Sequence, residues 1–214
     1  MSEYPIVTNK YAAKAQFSGN ICNDICKFVY VASANTLAEV SSEKGVVEFE
    51  SPLTITAAFG SSISVKGSAA GKVNIEGYDY LGQKIVVSEQ TVTTTASVLA
   101  MPFKYITKVE AVSDGDVAVT VTVVEDMTKA FPEFKVTKLL AAKKNGADMT
   151  VPTLTAPVVT ENTNGQKATR GVITLSGAVA GDVYEFIGIA DNSLVTINDE
   201  EVGGLYGNPS VISE

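Results

Sequence analysis

Polar and apolar residues alternate along much of this chain, and most of the apolar positions hold Val or Ile, with many Thr residues beside them. Residues 71–92 show the pattern well, because Val73 and Ile75 have polar residues on both sides. A period of two residues is typical of half-buried strands. The alternation breaks at Asp79 and Gly82, which suit the first and fourth positions of a type I turn. This segment therefore predicts a β-hairpin.

A second hairpin is predicted from residues 105–112 and 117–124, which flank the turn sequence Ser-Asp-Gly-Asp at 113–116. A two-residue Asp-Gly turn would place a glutamate opposite Val119. A three-residue loop pairs Val119 with Val109 instead and leaves the apolar side chains on one face. We favour the three-residue loop, because the buried face of a strand fixes its register.

Turn-forming residues separate further short strands. These strands are predicted at residues 27–32, 46–49, 53–59, 63–66, 171–175, 183–189 and 194–197. Short strands at this spacing are typical of sandwiches and barrels. The predicted fold is therefore all-β, an antiparallel β-sandwich of immunoglobulin-like or jelly-roll-like type.

The pattern divides the chain into three parts. Residues 1–126 are predicted to form an N-terminal β-sandwich, and residues 158–214 a smaller C-terminal β lobe. Residues 127–157 are predicted to connect them. Within this connector, residues 136–145 predict at most one short helix, because lysines lie near its end and Gly146 follows as a stop signal. Two prolines after the helix favour an extended chain.

The charge of the chain argues against some classes of partner. The formal net charge is −8, with 16 basic residues in 214. Nucleic-acid binding depends on Lys and Arg residues that neutralise phosphates, and an anionic membrane surface repels an acidic protein. No apolar run approaches the roughly 18 residues of a membrane-spanning helix. We therefore expect no nucleic-acid partner and no membrane partner.

The residue types argue against catalysis. The chain contains no His, and His is the commonest general base and metal ligand. Nucleophilic catalysis needs a base beside the nucleophile, and carboxylate pairs such as Glu76 and Asp79 fit strand edges and turns. We expect no enzymatic activity and no cofactor. The weak calcium candidates are Asp114 and Asp116, whose spacing turn chemistry explains as well.

The two cysteines are expected to be reduced. The N-terminal residues lack the basic start and apolar stretch of a signal peptide, so the chain is expected to stay in the cytosol, where thiols are kept reduced. Ordinary packing of Cys22 and Cys26 is the favoured interpretation. A disulfide between them is the alternative.

Tyrosines are the candidates for contact residues, because Tyr offers a rigid amphipathic surface. Tyr78 and Tyr80 lie at the first predicted turn, and Tyr206 lies near the C-terminus. These three are the predicted interaction residues. Subunit contact and a sugar site are the two alternatives for them.

Three short segments of the chain have recognisable patterns. The first is the hairpin at residues 72–85, with the pattern Ile-x-Gly-x-Asp-x-x-Gly, followed by a Thr-rich strand. The second is Tyr-Ile-Thr-Lys-Val at 105–109, and the third is the Arg-Gly strand start within residues 169–175. These segments resemble structural proteins of tailed bacteriophages, and the resemblance covers part of the chain. It implies a virion component, with no catalytic residues to carry over.

We therefore expect a structural virion subunit, either a head decoration or cement protein or a neck, collar or tail component. Its expected partners are other copies of itself and other virion proteins. Its expected location is the virion, after synthesis and assembly in the host cytoplasm. The alternative is a receptor- or glycan-binding module at a tail or capsid surface. That alternative predicts an exposed Tyr cluster with Asn and Asp nearby, and a host surface glycan as the partner.

Overall fold

The described part of the chain consists almost entirely of β-strands. The computed structural model describes residues 24–132, 135–161, 167–190, 195–197 and 200–201. Within them the only helical element is a 3-10 turn, η1 at Ser42–Lys44, and all the strand pairs are antiparallel. The predicted class, an all-β antiparallel sandwich, is confirmed. No helix in these ranges has the length and apolar character needed to cross a membrane.

The strands follow one another with short connections. They are β1 (Asp24–Val31), β2 (Thr36–Ser41), β3 (Val46–Thr54), β4 (Ser61–Gly67), β5 (Gly71–Tyr78), β6 (Lys84–Val92), β7 (Ser97–Phe103), β8 (Tyr105–Ser113), β9 (Thr120–Ala130), β10 (Val136–Lys144), β11 (Ala147–Met149), β12 (Thr153–Glu161), β13 (Lys167–Thr174), β14 (Val183–Ala190), β15 (Val195–Ile197) and β16 (Glu200–Glu201).

These strands form three sheets. Sheet A has the order β1-β14-β10-β11, and sheet C has the order β3-β8-β5-β6. Sheet B has the order β16-β15-β13-β9-β4-β7, with β12 also paired to β13 and β2 to β9. Strands from distant parts of the chain therefore lie side by side, as β1 and β14 do. The division into domains stays a prediction.

All three sheets contribute to one apolar core. Phe186 of sheet A, Val123 of sheet B and Ile75 of sheet C are each fully buried in the same cluster. Strands such as β5 bury alternate residues, because successive side chains of a strand point to opposite faces. Full burial of one large aliphatic or aromatic side chain contributes about 1.5–3 kcal/mol. The alternation recognised in the sequence is thus the source of the core.

The first predicted hairpin is confirmed. β5 pairs with β6 and sets Tyr78 opposite Lys84. The backbone N–H of Gly82 donates to the carbonyl oxygen of Asp79 over 3.1 Å, which closes the four-residue turn. Gly82 has a φ of +78°, a conformation that glycine adopts at little cost.

The second predicted hairpin is wrong. β8 pairs with β3 and β5 in sheet C, whereas β9 pairs with β2, β4 and β13 in sheet B. The turn at 113–116 therefore leads from one sheet to another. Val109 and Val119 are both buried in the core. Two strands with matching apolar faces can lie side by side or in separate sheets over a common core, and alternation does not distinguish the two.

The predicted short helix is also wrong, since residues 136–144 form β10. This strand pairs with β14 through two register shifts, one between Val136 and Lys138 and one between Leu139 and Ala141. As a result its buried residues, Val136, Leu139 and Ala142, are three apart. That spacing resembles a helical period. The two register shifts are β-bulges, and they produce this spacing. Pairing with β14 overrides the helix propensity of the Leu and Ala residues.

Two predicted segments differ from the structure in their ends. The strand predicted at 53–59 is shorter, because β3 ends at Thr54 and the next residues form a turn. The extended connector predicted around Pro152 is extended, but from Thr153 onward it belongs to β12, which pairs with β13. The chain is therefore part of sheet B at this point.

Candidate functional site

The outer face of sheet A exposes six large aliphatic side chains on three adjacent strands. It is formed by outward-pointing side chains of β1, β14 and β10, and Ile25 is 76% exposed there. We call this surface the sheet A face. Its large aliphatic residues are Ile25, Val29, Val31, Leu140, Val183 and Ile187. An apolar patch of several hundred Å² on a protein surface often has a binding role.

The strand register places these side chains on one face, with the Lys27–Glu185 ion pair between them. β1 and β14 set Ile25 opposite Ile189 and Val31 opposite Val183. Residues directly opposite each other in an antiparallel pair lie on the same face, with Cβ atoms about 5 Å apart. The aliphatic side chains therefore form a patch that runs across both strands.

The other side of sheet A is a layer of aromatic rings. The rings of Phe28 and Phe186 lie 5.1 Å apart, and those of Tyr184 and Phe186 are stacked at 6.2 Å. Tyr30 lies in the same layer, and burial raises the pKa of its hydroxyl to about 12. Cys26 is buried beside these rings and its thiol donates to the carbonyl of Gly188. These contacts hold the sheet in place beneath its exposed face.

The outer face of sheet C is charged. Glu76 forms ion pairs with Lys84 at 2.8 Å and with Lys108 at 3.3 Å. Hydrogen bonds from Lys84 first and from Lys108 second lower the pKa of Glu76. Beside them the amide of Asn74 donates to Glu110 over 2.8 Å. We call this surface the sheet C face. Two shallow troughs of about 200 and 260 Å³ lie on it.

The two predicted tyrosines at the first turn have different surroundings. Tyr78 is half-buried on the sheet C face, opposite Lys84 on one side and Tyr105 on the other. The ring of Tyr80 packs edge-on against Phe59, with centroids 5.2 Å apart. Tyr206, the third predicted interaction residue, lies outside the described residues. The structure thus brings Tyr78 together with Tyr105, a partner that sequence reasoning missed.

Below Tyr80 lies a buried ion pair. Arg170 of β13 donates to a carboxylate oxygen of Asp79 over 2.8 Å, and the two side chains are 1% and 0% exposed. The hydroxyl of Thr160 donates to the same oxygen over 2.9 Å. The guanidinium also donates to the carbonyl of Phe59 and lies 4.6 Å from the ring of Tyr80. The cluster joins the β5–β6 turn of sheet C to β12 and β13 of sheet B.

The second carboxylate oxygen of Asp79 organises the turn itself. It accepts hydrogen bonds from the backbone N–H groups of Leu81 and Gln83, at 2.8 and 2.9 Å. One aspartate therefore shapes the turn and anchors it to a neighbouring sheet. Burial lowers the pKa of Arg170, and the charge of Asp79 opposes that effect.

The ion pair explains two segments that the sequence singled out. Asp79 belongs to the Ile-x-Gly-x-Asp-x-x-Gly pattern, and Arg170 belongs to the Arg-Gly strand start. A Cβ on Gly77 would collide with the carbonyl oxygen of Tyr105, and one on Gly171 would lie 2.6 Å from Leu154. The charged residue of each pattern thus forms the buried ion pair, and the glycine of each pattern permits close packing. No local feature of the sequence pairs Asp79 with Arg170.

The calcium candidates lie in an exposed turn. Asp114 and Asp116 are both exposed, and the hydroxyl of Ser113 organises the turn through hydrogen bonds to the carbonyls of Gly115 and Val117. Within the described ranges no three acidic, Cys or His side chains gather as a metal site. The second cysteine, Cys22, lies outside the described residues. The two alternatives for Cys22 and Cys26, ordinary packing and a disulfide, therefore stay predictions.

Comparison with protein-family models, curated proteins and solved structures finds no match for this chain.

Proposed function

We propose that this chain is a structural subunit of a tailed bacteriophage particle, a head decoration or cement protein or a neck, collar or tail component. It acts without catalysis, by burying the sheet A face against neighbouring subunits. The exposure of six large aliphatic side chains on three adjacent strands carries this proposal. Apolar area on this scale is a driving force for association, since its removal from water is favourable.

The dimensions of the face suit the centre of an interface. Strands of eight residues at about 3.3 Å each, and three strands at about 4.8 Å spacing, give an area of roughly 350 Å². A standard interface buries about 800 Å² on each partner, with an apolar centre and a polar rim. The sheet A face thus accounts for the centre of one contact, and the surrounding lysines, such as Lys27 and Lys138, can form its rim.

The particle itself is proposed from the sequence resemblance. The hairpin pattern that contains Asp79 and the strand start that contains Arg170 resemble segments of tailed-phage structural proteins. Asp79 of the first segment and Arg170 of the second form one buried ion pair. This pair supports a rigid unit, and a particle component needs rigidity. Assembly in the host cytoplasm and location in the virion are part of the proposal.

The test is the composition of purified virions. Mass spectrometry should find this chain at a copy number that matches a symmetric set of sites, and a cryo-EM map should place the sheet A face in a contact. A virion preparation that lacks the chain would contradict the proposal.

A second candidate function is glycan binding on the sheet C face. The observation in its favour is the pair of Tyr78 and Tyr105 on adjacent strands beside the troughs that contain Asn74, Glu76 and Lys108. A glycan array would test it. Tyr78→Ala and Tyr105→Ala should each abolish binding, and Ile25→Thr on the sheet A face should not. An array without any signal would dismiss this candidate.

A further inference from the structure

We propose that the sheet A face of one copy binds an acidic edge of a second copy, so that the copies join head to tail. The acidic edge consists of β2, η1 and β3. This inference rests on the proposed structural function and names the partner of its main contact. It is carried by the charges around the apolar face and by their complement elsewhere on the same chain.

Basic residues surround the sheet A face. Lys27 lies among its aliphatic side chains, opposite Ile187, and pairs with Glu185 at 2.6 Å. Lys143 pairs with the highly exposed Asp148 at 3.5 Å. Lys138 is exposed and has no ion pair within the described residues. On a chain of net charge −8, this surface carries more positive than negative groups.

The acidic edge has the opposite charge. Between residues 39 and 50 the exposed charged groups are four carboxylates and one lysine, Lys44. The carboxylates belong to Glu39, Glu43, Glu48 and Glu50, and in the described part of the chain none of them has an ion pair. Val46 is 45% exposed among them. The edge therefore combines negative charge with an apolar residue that can enter the sheet A face.

The edge is also accessible in the topology. β3 is the end strand of sheet C, and β2 has β9 as its partner among the described strands. Pro52 in β3 fits an end strand, because proline lacks the N–H that a neighbouring strand would use. The contact we propose is made by side chains and does not require an added strand.

The charges favour a head-to-tail contact over a two-fold one. A two-fold contact would place the sheet A face, with its excess of lysines, against the same positively charged surface of the partner. A head-to-tail contact sets lysines against glutamates. Repeated contacts of this kind close into a ring when the rotation permits, and otherwise form a filament.

Charge reversal on each side provides the test. The two variants are Lys138→Glu with Lys143→Glu on the sheet A face, and Glu48→Lys with Glu50→Lys on the acidic edge. Analytical ultracentrifugation of the full chain should show that each variant alone associates at least tenfold more weakly. A 1:1 mixture should recover the affinity of the unmodified chain, because every contact between the two variants then joins opposite charges. High salt should weaken the unmodified contact.

A matched control separates this contact from net charge. Glu89→Lys with Thr94→Lys and Ala96→Lys changes the net charge as much as Glu48→Lys with Glu50→Lys does, at exposed positions on β6 and in the β6–β7 connection, at the end of sheet C farthest from β3. It should leave association unchanged. Circular dichroism of each variant checks that the fold is retained, and Ile25→Thr gives a second, uncharged disruption of the same face.

Several outcomes would overturn the inference. These are a chain that stays monomeric at high concentration, an acidic-edge variant that associates normally, and a mixture that does not recover. None of them bears on virion composition. A chain that is monomeric in solution and present in virions would therefore refute the head-to-tail contact alone. A chain that shows the charge-swap pattern and is absent from virions would refute the proposed particle alone.

Discussion

The outer faces of sheets A and C differ in chemistry although both sheets lie over the same core. On the sheet A face the outward residues include Ile25, Val29 and Ile187. On the sheet C face the corresponding outward positions hold charged residues such as Glu76 and Lys108, which pair across strands. Opposite charges on adjacent strands stabilise a sheet by about 0.2–1 kcal/mol for each pair and keep its surface hydrated.

This difference shows where the chain meets something other than water. The inner residues of both sheets are fixed by the need to fill the core, so they are apolar in each case. The outer residues are free of that requirement. Their chemistry therefore reports what the face contacts, which for sheet C beyond β3 is solvent and for sheet A is, in our proposal, the edge of a second copy formed by β2, η1 and β3.

The two sheets also differ in how they are anchored. Sheet A rests on stacked rings, with Phe186 between Phe28 and Tyr184. Sheet C is attached at one end through the buried Asp79–Arg170 pair. An aromatic layer tolerates small shifts of its side chains, whereas a buried charge that loses its partner strongly destabilises the fold.

The largest effect is expected from Asp79→Asn, which tests the anchor of sheet C. The variant keeps an oxygen for the backbone N–H groups but leaves the charge of Arg170 buried without a partner. Loss of one member of a buried pair costs about 3–5 kcal/mol in the free energy of unfolding. Urea denaturation measures it. Adding Arg170→Met should recover part of the loss, and Asp114→Asn in an exposed turn is the control. If Asp79→Asn lowers the free energy of unfolding by less than about 1 kcal/mol, the Asp79–Arg170 pair does not anchor sheet C.

The second effect compares two exposed aliphatic residues, one on each face. Ile25→Thr on sheet A should weaken self-association about tenfold, because burial of such a side chain contributes about 1.5 kcal/mol. Val86 is 51% exposed on sheet C, and Val86→Thr should leave association unchanged. Both variants should unfold within about 0.5 kcal/mol of the unmodified chain, as is usual for surface changes. Equal effects on association would abolish the distinction between the faces.

The third effect is a pH dependence at the end of sheet A. Hydrogen bonds from Lys144, Asn145 and the backbone N–H of Val179 lower the pKa of Asp182 from 3.8 to about 2. A depressed pKa stabilises the fold above the unfolded value, and this stability is lost as the pH falls from about 4 to 2. The stability difference between the unmodified chain and Asp182→Asn should therefore shrink over that range in thermal unfolding. A constant difference would contradict the ion pair with Lys144.

The smallest effect is expected from Glu76→Gln on the sheet C face. This change removes two half-exposed ion pairs, and such pairs contribute about 0.2–1 kcal/mol each. Urea denaturation at low salt should show a loss of this size, and high salt should reduce it. Self-association should not change. A marked loss of association would mean that the charged face is itself a contact.

The local features of the fold follow from the sequence because they depend on neighbouring residues. Alternation specifies a strand wherever it occurs, and the Asp79–Gly82 turn specifies a hairpin between the strands beside it. The all-β class and the hairpin at residues 71–92 were predictable for this reason. The sequence pattern did not exclude a helix at residues 136–145, where the structure has β10. The two bulges of this strand space its buried residues three apart, which resembles a helical period.

Only the tertiary structure decided the partners of the strands and the nature of their outer faces. Asp79 and Arg170 are 91 residues apart in the chain, and nothing local links them. The predicted turn at residues 113–116 joins two sheets because strands with apolar faces can meet across a core as well as within a sheet. In the same way β1 has apolar residues on both of its faces, apart from Asp24 and Lys27, as a strand covered on both sides does. The fold covers one side, and the described chain leaves the other exposed.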